Sequence, residues 1–222
     1  LLDMQKNAEA EEQYLKGIAI REKLVSDFPN YPDYSVDLMK RYVVYAEMKL
    51  DSKDATSSLL WFEKAFDSLR KVREFESQLV SYKKYMVRSF QGRGKAYDQL
   101  RMETKADADW QKAIELSSEQ DRHRIRTRRA IHLVFEDQVP KAIAMVEELA
   151  KLPIKEAKRW YEMGSVYSLA SKLTSDQEQK YSDRAMELLN EAVTLEYSDV
   201  ETMSKDTNLD PIREREDFRK LL

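Results

Sequence analysis

The feature of this 222-residue chain that most constrains its fold is a recurring set of intervals between small and large residues. Gly94, Ala106, Trp110 and Ala113 are separated by 12, 4 and 3 positions. Ala46, Ser58, Phe62 and Ala65 repeat those separations, and so do Ala130, Ala142, Val146 and Leu149, with a larger last residue. Gly164 is followed by Ala185, Leu189 and Ala192, which keeps the 4 and the 3 but stretches the first interval to 21. Ala10, Tyr14 and Gly17 supply the second half of the set alone. A period shared along a chain is a stronger architectural signal than any single motif. Antiparallel helices approach to about 8 to 10 Å only where small side chains sit at the crossing. The intervals therefore predict successive helical hairpins: one small residue thins the first helix, the next thins the second, and a third lets the following hairpin dock.

The local pattern agrees. Apolar residues return at three and four, as in Leu38, Met39, Tyr42, Tyr45 and Ala46, then Leu59, Phe62, Ala65, Phe66 and Leu69. No stretch alternates with period two between hairpin turns, so a sheet is not expected. Pro29, Pro32, Pro140, Pro153 and Pro211 fall between the periodic stretches, where a missing N–H costs little. The predicted helices are 2–27, 32–50, 54–73, 77–101, 104–118, 120–135, 138–151, 155–173, 176–195 and 211–221.

Charge and composition narrow the function. Lys and Arg total 38 against 41 Asp and Glu, a net charge of −3, so no global field draws in nucleic acid or a membrane surface. There is no Cys, which excludes disulfides and thiolate metal sites. No apolar run approaches the roughly 18 residues that cross a bilayer, and Leu1 to Glu12 lacks a basic-then-apolar signal pattern. The chain reads as a soluble segment of a longer protein, with a cytoplasmic location favoured.

The first-helix half of the pattern is clearest in Trp160, Met163, Gly164 and Tyr167. Phe90, Arg93, Gly94 and Tyr97 repeat it with one Arg, and Tyr42, Tyr45, Ala46 and Lys49 form a weaker copy. From Ala10 to Ala192 the chain thus resembles the tetratricopeptide repeat (TPR) family, whose pattern is Trp, Leu-Gly and Tyr on one helix, then Ala, Phe and Ala on the next. It departs from that pattern in that the closing Pro is mostly absent and Lys49 and Leu133 replace the Tyr. The resemblance implies an all-α, right-handed superhelical solenoid of antiparallel helix pairs with a C-terminal capping helix. Residues 1–195 would form the TPR-like repeat array, its first repeat only partly present in 1–30, and 196–222 the capping segment. The end, from Tyr181, Arg184 and Ala185 to Asp217, Phe218, Leu221 and Leu222, is similar to the closing segment of repeat arrays that follow bacterial serine/threonine kinases, notably planctomycete ones. Ala19, Ile20, Arg21, Glu22, Lys23 and Leu24 share that resemblance, which implies a signalling-associated parent. The chain itself has no glycine-rich loop, catalytic His-Arg-Asp or Asp-Phe-Gly. From its own residues the end reads as a helix N-capped by Asp210 and started by Pro211, with Ile212, Phe218, Leu221 and Leu222 covering the last groove.

No reaction centre is expected. Gly92-x-Gly94 with Lys95 lacks the preceding strand and third Gly of a phosphate loop. His123 and His132 are nine residues apart, a rotation of about 180° on a helix, and cannot share a metal. Carboxylate runs such as Glu9 to Glu12 and Glu214 to Asp217 read as solvated faces, and Trp61, Trp110 and Trp160 as packing residues. No enzyme activity, cofactor or metal is assigned.

The family resemblance implies that first-helix residues line a concave inner face. Lys40, Arg88, Arg124 and Lys158 lie two residues before the family's aromatic position in four successive units, which would make a basic ladder. Val43, Glu47, Gln91, Lys95, Asp98, Thr127, Ile131, Tyr161, Ser165 and Ser168 share that face by the same resemblance. The peptide-binding expectation rests on Lys40, Val43, Arg88, Gln91, Lys95, Arg124, Thr127, Ile131, Lys158 and Tyr161. The expected partner is a protein, through an extended acidic or phosphorylated segment, with Val43, Ile131 and Tyr161 as apolar anchors. Val43, Glu47 and Gln91 stand where a Lys/Asn carboxylate clamp would need other residues, so a chaperone C-terminus is a poor ligand. One alternative is a structural or self-associating segment that docks through its open N-terminal half-repeat. Another is nucleic-acid binding through the 122–129 cluster (Arg122, His123, Arg124, Arg126, Arg128, Arg129), disfavoured because the cluster spreads around a helix and lacks stacking aromatics.

Overall fold

Four turns in a computed structural model of the protein show how the pattern folds. Lys53, Arg101, Asp137 and Glu196 all take left-handed backbone conformations, with φ between 56° and 68°. The first three stand seven residues after Ala46, Gly94 and Ala130. Each closes a helix in the same way. The amide of Lys53 donates to the carbonyl of Leu50 at 3.0 Å and that of Asp54 to Lys49 at 2.9 Å. Arg101 with Met102, Asp137 with Gln138, and Glu196 with Tyr197 repeat the pair of bonds. This is the Schellman closure, here made without the glycine that usually takes the left-handed position. The chain has four glycines in all, and none of them has a positive φ.

The structure describes residues 2–70, 80–153 and 155–222, all helix, turn or loop, with no strand among them. The helices are α1 (Leu2–Asp27), α2 (Pro32–Asp51), α3 (Ala55–Arg70), α4 (Val80–Gln99), α5 (Glu103–Leu116), α6 (Glu119–Phe135), α7 (Val139–Ala150), α8 (Ala157–Leu173), α9 (Glu178–Thr194), α10 (Val200–Lys205) and α11 (Glu216–Leu221). A 3-10 helix, Thr207–Ile212, lies between the last two. Expected and observed helices agree to within a few residues through α9, and the expected ends at 73 and 77 lie outside the described residues. The chain divides into two compact units, Leu1–Ser117 and Ser118–Leu222.

In the first unit α2 pairs with α3 and α4 with α5, while α4 also packs on α2 and α3. The interval pattern lies at these contacts: Ala46, Ser58, Phe62, Ala65, Ala106 and Ala113 have no exposed surface, and Trp110 has 1%. A Cβ placed on Gly94 would lie 2.9 Å from the Trp110 indole nitrogen, and one on Gly92 would overlap the Phe62 ring. The indole N–H donates to the buried carboxylate of Asp98 at 2.8 Å, so this large residue enters the core with its polar edge satisfied. Arg93, the exception in the apolar pattern, lies 4.3 Å from the Phe66 ring and forks onto both oxygens of Asp109, at 2.6 and 2.8 Å. Its third contact is Glu63, at 2.5 Å. Burial opposes its charge, but the bonds to Asp109 and the nearby Glu63 hold it ionised.

The half-set on α1 behaves differently from the expected repeat. Ala10 is exposed, and a Cβ on Gly17 would meet nothing nearer than an Arg21 nitrogen at 3.6 Å. Polar clips supplement the apolar contacts between α1 and α2: Arg21 to Asp37 at 2.5 Å, Glu22 to Tyr42 at 2.5 Å, and Glu11 to Lys49 at 2.5 Å.

In the second unit α6 pairs with α7 and α8 with α9, and α8 packs on both helices of the earlier pair. The longer interval after Gly164 is absorbed between the two helices, because α8 runs on to Leu173 and α9 begins only at Glu178. A Cβ on Gly164 would lie 2.9 Å from Leu189 Cγ and 3.3 Å from the Ala185 carbonyl. The chain's end departs from the sequence expectation. No helix starts at Pro211, which instead sits inside the 3-10 helix; that helix is capped by Asp206, whose carboxylate accepts from the Asn208 amide at 2.9 Å. Asp210 is exposed and pairs with Arg213. Met203, Leu209, Ile212 and Phe218 are buried in the unit's core, while Leu222 is 43% exposed.

Two predictions follow from the crossings and the turns. Gly164→Ala should lower stability by about 1 to 2 kcal/mol, because overpacking outweighs the gain in helix propensity, whereas Gly17→Ala should raise it by about 0.5 to 1 kcal/mol. Asp137→Gly should add about 0.5 to 1 kcal/mol by relieving a left-handed non-glycine residue. Urea unfolding followed by circular dichroism checks all three, and equal effects at Gly17 and Gly164 would contradict the crossing argument.

Candidate functional site

The four cations of the expected ladder fall two to each unit. In the first unit, Lys40 on α2 lies 5.4 Å above the Tyr85 ring of α4. Arg88, one turn beyond Tyr85, is held by Glu47 in a bidentate pair, Nε to Oε1 at 2.7 Å and Nη2 to Oε2 at 2.5 Å. That pairing leaves Arg88 little charge for a ligand. Val43 is fully buried in the core with Met39 and Phe62, so it is not the exposed anchor expected of it. Gln91 and Lys95 are half-buried on α4.

In the second unit, Arg124 and Lys158 come together. They line an open pocket of about 300 Å³ between the beginnings of α6 and α8, with Gln120, Asp121, Glu156, Arg159 and Glu162. α6 and α8 are the first helices of successive antiparallel pairs and pack on each other, and the expected register gives the two residues the same position. Two cations in the lining are already bound. Arg124 reaches Asp121 one turn back at 2.5 Å. Arg159 makes two bonds to Glu156, both at 2.8 Å, and a third to the Gln120 carbonyl at 3.1 Å, which ties α8 to α6. Lys158 is exposed and Glu162 half-buried; among the described residues neither makes an ion pair or a side-chain hydrogen bond.

Glu162 has a distinctive electrostatic setting. Burial raises its pKa above the ordinary 4.5, against the pull of Lys158, Arg128, Arg124 and Arg159. Beside the pocket, His123 is pushed below its ordinary value of 6.5 by burial and by the charges of Arg159 and Arg126, and its Nδ1 is buried without a hydrogen-bond partner. Sequence reasoning did not single out Glu162, and the expected register gave no signal for it: the corresponding earlier places hold Val44, Gly92 and Arg128.

The remaining expected contacts on α6 and α8 are largely covered. Thr127 is 2% exposed and donates to the His123 carbonyl. Ile131 is half-buried against the core. Tyr161, 5% exposed, stacks on Tyr197 with ring centroids 4.6 Å apart and donates to Asp206 at 2.5 Å. The C-terminal segment therefore occupies the place where Tyr161 was expected to receive a ligand. Ser165 and Ser168 are buried in the same helix, and Asp98 is buried on α4.

The other candidate chemistries find no support in the geometry. Gly92 and Gly94 face Phe62 and Trp110 from within α4 and form no phosphate loop. Arg129 of the arginine cluster is buried while Arg122 and Arg128 are exposed, so the cluster has no single basic face. Among the described residues no group of three His, Asp or Glu side chains is placed to hold a metal ion, and no helix is long and apolar enough to cross a membrane. No protein-family model matches the chain, and no curated protein matches its sequence.

The pKa direction of Glu162 has a definite sign for stability. An acid whose pKa is raised on folding costs stability when ionised, so the cost is absent well below 4.5 and fully present above the raised value. Glu162→Gln should accordingly raise the thermal unfolding midpoint at pH 7, and the difference from wild type should shrink as the pH falls through the carboxylate range. Calorimetry at pH 7 and pH 4 measures it, and a midpoint lowered at pH 7 would contradict the assignment.

Proposed function

We propose that this chain is a TPR-like protein-interaction module, a right-handed superhelical array that works as a scaffold in a larger signalling protein. Its ligand is an extended segment of a partner protein carrying acidic side chains, which lies along the first helices of successive pairs. The observation that carries this reading is the convergence of Arg124 and Lys158, equivalent residues of two successive pairs, on one open pocket. Helix pairs stacked in this way leave a continuous surface for an extended ligand.

The geometry makes the surface selective in a particular way. Arg88 and Arg124 are internally paired, so of the four ladder cations only Lys40 and Lys158 lack an acid partner among the described residues, and Lys158 is the one that lines the pocket. Partly exposed ion pairs contribute about 0.2 to 1 kcal/mol each, so binding is weak, salt-sensitive and dependent on apolar contacts along α6 and α8.

The test is a titration with a Glu-rich peptide followed by backbone amide NMR. Shifts should concentrate on α6 and α8 and fade at high salt, and Lys158→Glu should weaken binding by about threefold to tenfold as one attraction becomes a repulsion. Shifts absent from both helices, or unaffected by that substitution, would overturn the proposal.

A further inference from the structure

The pocket between α6 and α8 sorts its charges into two classes. Arg124 with Asp121 and Arg159 with Glu156 are satisfied pairs at 2.5 and 2.8 Å. Lys158 and Glu162 are left over, with opposite charges and one helical turn apart on α8, and neither has a partner among the described residues. Four residues' separation on a helix normally permits such a pair to close on itself. Here one side chain is exposed and the other half-buried, and no ion pair or hydrogen bond closes between them, Lys158 acting on Glu162 only through space.

A half-buried carboxylate without a hydrogen bond has lost water and gained no protein partner in exchange. The cations around it do not supply one: two are committed to other acids, and Lys158 and Arg128 act on it only through space. A purely acidic ligand would satisfy Lys158 while setting a second negative charge beside Glu162. A ligand with a cation next to an anion satisfies both groups at once.

We infer that the α6–α8 pocket selects a peptide of adjacent opposite charges, its acidic side chain meeting Lys158 and its Lys or Arg side chain meeting Glu162. This rests on the interaction-module reading and sharpens it: Glu162 is the residue that distinguishes a mixed-charge segment from an acidic one. The lining supports this balance, since its three cations, Arg124, Lys158 and Arg159, are matched by the three acids Asp121, Glu156 and Glu162.

The test uses three short acetylated, dye-labelled peptides, of alternating Glu and Lys, of Glu alone and of Lys alone, in fluorescence anisotropy against wild type, Glu162→Gln and Lys158→Gln. Wild type should bind the alternating peptide most tightly. Glu162→Gln should weaken that peptide by about fivefold, the upper range for an incompletely buried ion pair, and remove its advantage over the Glu peptide. Lys158→Gln should weaken both peptides that contain Glu. Glutamine keeps the shape of Glu162, and circular dichroism of each variant confirms the fold. If the Glu peptide binds wild type as tightly as the alternating one, or if Glu162→Gln changes nothing, the inference fails while the interaction-module reading stands. If none of the three peptides shifts α6 and α8 in the NMR titration, both fail together.

Discussion

The contact on which the rest of this structure depends is a glycine or alanine of one helix set against a bulky side chain of the next. Gly94 opposite Trp110 and Gly164 opposite Leu189 leave no room for even a methyl group, and Gly92 opposite Phe62 is tighter still. Interiors packed at this density hold each large residue in one position. That fit sets α4 against α3 and α5 and α8 against α9, while first helices also pack side by side, α2 with α4 and α6 with α8. Equivalent surface positions of successive hairpins then come together, as Arg124 and Lys158 do. Three of the hairpin turns contribute in the same register, with Lys53, Arg101 and Asp137 left-handed seven places after Ala46, Gly94 and Ala130.

Polar groups decide what the surface so assembled can offer. Within each unit many charges are already matched: Arg88 by Glu47 and Arg93 by Asp109 and Glu63 in the first, Arg159 by Glu156 in the second. The part-buried pair of Arg93 and Asp109 joins α4 to α5 through two charge-assisted bonds at 2.6 and 2.8 Å. In the α6–α8 pocket, Lys158 and Glu162 are left without a partner among the described residues, and that is therefore informative. The C-terminal segment narrows the surface further by taking Tyr161, through Tyr197 and Asp206, as its own docking point.

Much of the helical order was legible because helix periodicity and hairpin crossings are written in residue size. The expected 2–27 matches α1, and α2, α3 and α5 through α9 begin within about two residues of expectation. The C-terminal end was misread for a clear reason: Pro211 after Asp210 is a good helix start, but it is equally at home in a 3-10 turn, and tertiary burial of Leu209 and Ile212 settled the matter. The left-handed turns were invisible because Lys53, Arg101 and Asp137 include none of the usual glycine markers. Of the candidate site, the equivalence of Arg124 and Lys158 was readable from register, whereas the burial of Val43, Thr127 and Tyr161 was not, since family position says which helix face a residue occupies and not what covers it.

Sequence alone determined that the described chain is helical, where its small and large residues must meet, and that its charge is nearly balanced. These are properties of spacing and composition, and they hold whatever the helices later touch. Tertiary structure alone decided which charges are spent on one another and which remain. An ion pair such as Arg88 with Glu47 joins residues 41 positions apart, and a carboxylate such as Glu162 is left over only because the neighbouring helices bring cations near it without bringing a hydrogen-bond donor. Electrostatic interaction depends on distance and burial, and neither quantity exists until the helices have packed.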